Sequence, residues 1–157
     1  MTLHNKFEQE LAKLGSGKQH SLSAAEGQRE IRCQVIERDA LAVSFERLAL
    51  QTAELAGAGV ADLERIAKAL SARLTYLLEP ISPIEIDAEA CVVQMRSSPP
   101  QRDDDGRSYY ELLVRKGGEI ALSRFRKGNG AARQVVPATV TREVLVRLAG
   151  DFSAAID

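Results

Sequence analysis

Acid–base, metal or nucleophilic chemistry in this chain would have to come from few residues. Histidine, the usual general base and metal ligand, occurs twice, at His4 and His20. His4 precedes a helical pattern and His20 lies in a Gly/Ser stretch, so both read as solvated imidazoles without neighbouring zinc ligands. Cys33 and Cys91 stand in apolar runs without CxxC spacing and read as buried free thiols. Were their strands to pair they could meet, but a nucleophilic thiol also needs a base or cation to lower its pKa. Asp103-Asp104-Asp105-Gly106 has the look of a calcium loop. An EF-hand, however, alternates its acids and ends on a bidentate glutamate, where this chain has Leu112. No GxGxxG, GxxxxGK[ST] or GxSxG motif occurs, and Gly57 and Gly59 open a helix with no lysine for a phosphate. Glu85, Asp87 and Glu89 alternate along one extended stretch and read as a solvated face. These residues weigh against an enzyme, and neither a cofactor nor a metal is expected.

The most suggestive set is basic. Arg115, Arg124, Arg126, Lys127 and Arg133 gather around one hairpin and the turn after it. Such a set could hold phosphate, a carboxylate or an acidic partner protein. Residues 96–136 carry nine basic against five acidic side chains, whereas residues 1–95 carry ten against fourteen, within a net charge of −1. Ser97-Ser98-Pro99-Pro100 has polyproline character but reads as a loop.

The elements that must position these residues follow from periodicity. Residues 1–14 form an N-terminal segment in which Phe7, Leu11 and Leu14 predict a helix over 4–14. Residues 15–27, rich in Gly, Ser and Ala, read as a flexible connection, and 28–157 as sheet and helices. Ile31, Cys33 and Val35 alternate, as do Leu41, Val43 and Phe45. Bringing both sets to one face pairs Ile31 with Phe45, Cys33 with Val43 and Val35 with Leu41, around a Glu37-Arg38-Asp39 turn. Leu63, Ile66, Ala67, Leu70 and Leu74 mark a core-facing helix with Asp62 near its start. Leu77 to Pro83 reads as a turn or edge, Ile84 to Met95 as one extended stretch, and Arg96 to Ser108 as a mobile polar loop.

Tyr109–Lys116 and Glu119–Lys127 predict a hairpin closed by a two-residue Gly117-Gly118 turn. That turn sets Val114 opposite Ala121, Leu112 opposite Ser123 and Tyr110 opposite Phe125. On the other face Leu113 meets Leu122, Glu111 meets Arg124 and Tyr109 meets Arg126. Apolar residues then occupy both faces, with Leu113, Ile120 and Leu122 forming a second apolar surface that needs a cover. A short strand at 133–136 can follow, and Thr139 or Thr141 can cap a last helix with Leu145, Leu148, Phe152 and Ile156 inward.

The 157 residues, 45% apolar and 27% charged, suit one globular domain. The fold class expected is α+β, an antiparallel sheet of about five strands with three helices on its faces, in the order α-β-β-α-β-β-β-α. No run is long enough to span a bilayer, Met1 to Leu14 lacks the apolar segment of a signal peptide, and free thiols suit the cytoplasm. In its mix of three helices with a twisted sheet the chain is similar to small dimeric secretion chaperones. It differs from them in its near-neutral charge and in the place of its middle helix. The function expected is a non-enzymatic, chaperone-like or protein-binding module, a homodimer sealing its second apolar sheet face. The alternative is an anion, small-molecule or nucleic-acid binder using the basic hairpin, with aromatics at 4% leaving few platforms for bases. An enzyme of unrecognised type comes third.

Overall fold

A computed structural model describes residues 1–15 and 17–157. Helix α1 (Leu3–Lys13) buries Leu3, Phe7 and Leu11, and Thr2 caps it by accepting from the Asn5 amide. The segment read as a flexible connection is instead strand β1 (Gly17–Glu26), which runs antiparallel to β2 (Arg29–Arg38) through a tight turn at Gly27. Leu22 and Ala24 face the core while Ser21 and Ser23 face solvent. Small residues under α1 make a strand of low hydrophobic contrast, which is why composition hid it. Ser16, part of that predicted connection, lies outside the described residues.

Strand β3 (Ala42–Thr52) pairs with β2 in a register other than the expected one. Ile31 faces Leu50, Cys33 faces Leu48, and Val35 faces Phe45. The predicted turn residue Arg38 is still in the ladder, opposite Val43, and the turn lies at Asp39–Leu41. The cause is a bulge opposite Gln34 and Val35, which lets Phe45 and Leu48, three positions apart, share the core face. The longer ladder buries Leu48 and Leu50 at the cost of exposing Leu41.

A single 3₁₀ turn (Ala53–Leu55) leads to α2 (Val60–Arg73), whose buried stripe is the expected Leu63, Ile66, Ala67, Leu70 and Leu74. Asp62 reaches back to accept from the Gly59 amide at 3.0 Å. The run 84–95 is two strands, β4 (Ile81–Asp87) and β5 (Val92–Ser97), because Asp87 accepts from the Ala90 amide and turns the chain there. Glu85 and Asp87 are therefore on β4, and Glu89 is in the turn. The polar stretch 96–108 contains β6 (Gln101–Asp103), which turns at Asp104-Asp105 into β7 (Gly106–Arg115). Then come β8 (Glu119–Gly128), β9 (Gln134–Val136), β10 (Ala138–Thr141) and α3 (Arg142–Ile156), capped by Thr141.

Among the described residues the result is α+β with three helices and one antiparallel sheet of ten strands rather than about five, its main path running β1-β2-β3-β8-β7-β5-β4. Helix α3 contacts both α1 and α2, and all three lie on one face. Among the described residues the opposite face carries no helix, whereas the helices were expected on the sheet's faces with a second subunit sealing the second apolar one. On the covered face Phe45, Leu48, Leu50, Leu112, Val114, Ile120, Leu122 and Phe152 are fully buried.

The β7–β8 hairpin differs from its predicted register by one residue. Its loop has three residues, Lys116 to Gly118, so Leu112 faces Leu122, Val114 faces Ile120, Leu113 faces Ala121, Glu111 faces Ser123 and Tyr109 faces Phe125. Gly118 sets this register. Its φ is +96° and its carbonyl accepts from the Thr52 amide at 2.8 Å. A β-carbon there would lie 1.7 Å from the Thr52 carbonyl oxygen. The shift collects Leu112, Val114, Ile120 and Leu122 on the core face.

Strands β3 and β8 pair only from Leu48–Leu122 to Gln51–Glu119 and then diverge. Into the fork runs β9 along β8, and after Pro137 the chain returns as β10 along β3. Proline suits that apex, where no amide is needed for a ladder.

Candidate functional site

The helix-free sheet face presents outward-pointing side chains from β3, β5, β7 and β8. Alternation places Arg47, Ala49 and Gln51 of β3 there, with Glu119, Ala121, Ser123 and Phe125 of β8. Tyr109, Glu111, Leu113 and Arg115 of β7 continue the face, with Gln94 and Arg96 of β5 beyond them. Ala121 and Ser123 floor a shallow recess of about 250 Å³ walled by Arg47, Arg115, Arg133, Glu111 and Glu119.

Two carboxylates organise the arginines. Glu119 places one oxygen 2.8 Å from Arg47 and 3.9 Å from Arg115. Glu111 is buried, accepts from Arg133 through both oxygens, accepts from Gln94 Nε2 at 3.0 Å, and has Arg96 at 3.9 Å. The hydrogen bonds from Arg133 to Glu111 raise its pKa against the opposing effect of burial. The guanidinium of Arg96 lies 4.5 Å above the Tyr109 ring and that of Arg133 lies 4.0 Å above Phe125. Arg96 Nε is buried with no hydrogen-bond partner. Arginine stems and planes thus cover the apolar part of this face, as snorkelling side chains do.

The predicted apolar trio does not form a surface. Ile120 and Leu122 are fully buried against the helices, and Leu113 alone is on the open face.

The five predicted basic residues are divided. Arg115 and Arg133 stand on the helix-free face. Arg124 is on the other side, 3.3 Å from buried Glu79 and stacked at 4.7 Å on Tyr110, so it meets neither Glu111 nor open solvent. Arg126 forms two 2.9 Å bonds to Asp103 instead of covering Tyr109. Lys127 donates to the Ala131 carbonyl. Each predicted partner changed because the hairpin moved by one residue, which swaps the face of every side chain on one strand relative to the other.

Two residues that matter here, Arg47 and Arg96, escaped the sequence reading. Arg47 lies past the bulge, and continuing the alternation of β3 through Ala49 and Gln51 would have found it. Arg96 stood at the start of a stretch read as loop.

The other chemistry-bearing residues lie apart from this face. Cys33 and Cys91 are free and buried, and their segments do not pair; burial pushes the Cys33 thiol up to about 12. Cys91 Sγ lies 3.8 Å from the Ala58 carbonyl oxygen. His4 lines a groove between α1 and α3, and His20 is exposed on β1. Among the described residues no three His, Cys, Asp or Glu side chains are grouped to hold a metal, and no helix is long and apolar enough to cross a membrane. No protein-family model matches the chain, and neither curated proteins nor solved structures gave a match.

Proposed function

We propose that this protein is a non-enzymatic interaction module that holds an acidic segment of a partner protein against its helix-free sheet face. The observation carrying this reading is the four guanidiniums of Arg47, Arg96, Arg115 and Arg133 set around only two carboxylates. Glu119 lies between Arg47 and Arg115 as an internal stand-in for an incoming carboxylate.

Two competing ligands fit less well. The recess of about 250 Å³ is smaller than the usual range for small-molecule sites, ~300–1,000 Å³. The rings of Tyr109 and Phe125 are already covered by Arg96 and Arg133, so they offer no free plane to a nucleic-acid base. A thiol held near 12 at Cys33 is a poor nucleophile, in keeping with binding rather than catalysis.

Poly-L-glutamate serves as the probe, with single-stranded DNA as comparison. Binding should be salt-dependent, weakened at least about tenfold by Arg47→Gln with Arg115→Gln, and strengthened by Glu119→Gln. Equal binding by the double variant, or stronger binding to DNA, would overturn the reading.

A further inference from the structure

Beside the helices lies a second feature that the sheet face does not use. Helices α1 and α3 and the β2–β3 turn enclose an open groove of about 970 Å³. Leu11 underlies it, and Ala40, Val146 and Gly150 contribute apolar wall. Leu41 stands at its mouth and is 79% exposed. One exposed leucine needs no explanation, but the backbone that carries this one is tied down on both sides. Asp39 Oδ1 accepts from the Leu41 and Ala42 amides at 2.8 Å each, the Asp39 amide donates to the Ala42 carbonyl, and the Leu41 carbonyl accepts from the Arg142 amide. A large apolar side chain on a pinned turn, in water beside an unfilled apolar groove, puts a knob and a hole on the same patch.

The rim carries charges of both signs. Arg142 makes no ion pair and has a buried Nε without a partner, while Glu8 and Glu143 likewise make none among the described residues. Asp151, by contrast, is held by Arg73 and Tyr76. A ligand of single charge would satisfy one sign and leave the other. A second copy related by a twofold axis supplies both signs together with its own knob and hole, since an isologous contact must be self-complementary.

We infer that two copies of this chain dimerise through this groove, Leu41 of each packing against Val146 and the apolar wall of the other, with Arg142 facing Glu8 across the twofold. The dimer goes beyond the reading of the sheet face, lies on the helix side of the molecule and leaves that face free.

Sedimentation velocity over a concentration series tests it with the full chain. The wild type should show a mass rising to twice the monomer. Leu41→Asp, at an exposed position, should keep the wild-type melting temperature and weaken association by about tenfold or more. Arg142→Glu should weaken it too, and pairing Arg142→Glu with Glu8→Arg should restore it. A wild type that stays monomeric throughout, or a Leu41→Asp dimer as tight as wild type, would overturn the inference. So would a monomer that binds a fluorescent fatty-acid probe and loses it in Leu41→Asp, since the groove would then belong to a small molecule. Poly-L-glutamate binding should survive Leu41→Asp, which keeps failure of the dimer distinct from failure of the sheet-face reading.

Discussion

Arg124 and Glu79 hold one another beside the ring of Tyr110, both terminal guanidinium nitrogens lying 3.3 Å from Glu79 Oε2. The second oxygen of Glu79 accepts from Ser97 Oγ at 2.7 Å, and the same Oγ accepts from the Tyr110 amide at 2.8 Å. The two charged side chains are 12% and 7% exposed. Removing one partner leaves the other charge buried. Glu79→Ala should therefore cost about 3 kcal/mol or more, whereas Glu79→Leu with Arg124→Met should lose much less than the two single losses combined. Urea denaturation of the single and double variants measures the difference.

The Arg126–Asp103 pair should show itself in pH dependence. The bonds from Arg126, helped by the Asp105 amide, hold the Asp103 carboxyl down to about 2, below its ordinary value of about 3.9. A group with a lowered folded-state pKa stabilises fully above its unfolded value and loses that contribution as pH falls through the folded one. The window is thus about pH 4 down to about pH 2. Carboxyl NMR titration should give a midpoint near 2 for Asp103, returning to the ordinary carboxylate range in Arg126→Gln.

Gly117 and Gly118 have nearly the same φ, +95° and +96°, but different surroundings. Gly117 has nothing within 4 Å of where a β-carbon would lie, while Gly118 abuts Thr52. Gly117→Ala should cost about 1–2 kcal/mol from backbone strain alone. Gly118→Ala should cost about 3 kcal/mol or more, because the Thr52 carbonyl must also give way. Equal urea midpoints for the two variants would show that the contact with Thr52 does not set the hairpin.

Leu78 is the reverse case, a 91% exposed leucine at φ +69°. Its side chain gains little burial while its backbone occupies the left-handed region. Leu78→Gly should raise stability by about 0.5–1 kcal/mol, the relief of strain exceeding the added freedom of the unfolded chain. Differential scanning calorimetry reads this as a higher melting temperature.

Helical periodicity made α1, α2 and α3 legible, down to the Leu63–Leu74 stripe and the Thr141 cap. Strand positions were legible where alternation was strong, as in β2, β7 and β8. Registers were not, because a bulge or a third loop residue moves a ladder without altering local alternation. One extra residue in the Lys116–Gly118 loop reversed the faces of Ile120 and Leu122 relative to Leu112. That single step dissolved the predicted apolar surface and separated Arg115 and Arg133 from Arg124. Strand β9 fell within the short strand expected at 133–136, while β6 and β10 were hidden for another reason. Strand β10 is held by β3, far away in sequence, and β6 is three polar residues in a tight hairpin with β7, so no apolar alternation announces either.

The fork between β3 and β8 bears on the order in which the molecule comes together. Each half of the sheet, β1–β3 and β4–β8, is built from hairpins between neighbours in sequence, with β5 reaching past the short β6 to β7, so each can zip from contacts of short range. The four-residue seam joining them closes a long loop, and β9–Pro137–β10 then reaches both halves at once. That segment acts as a keystone. Amide hydrogens of Val43 to Phe45 and Arg124 to Arg126 that depend on it should exchange together, in one cooperative opening that leaves the outer hairpins closed.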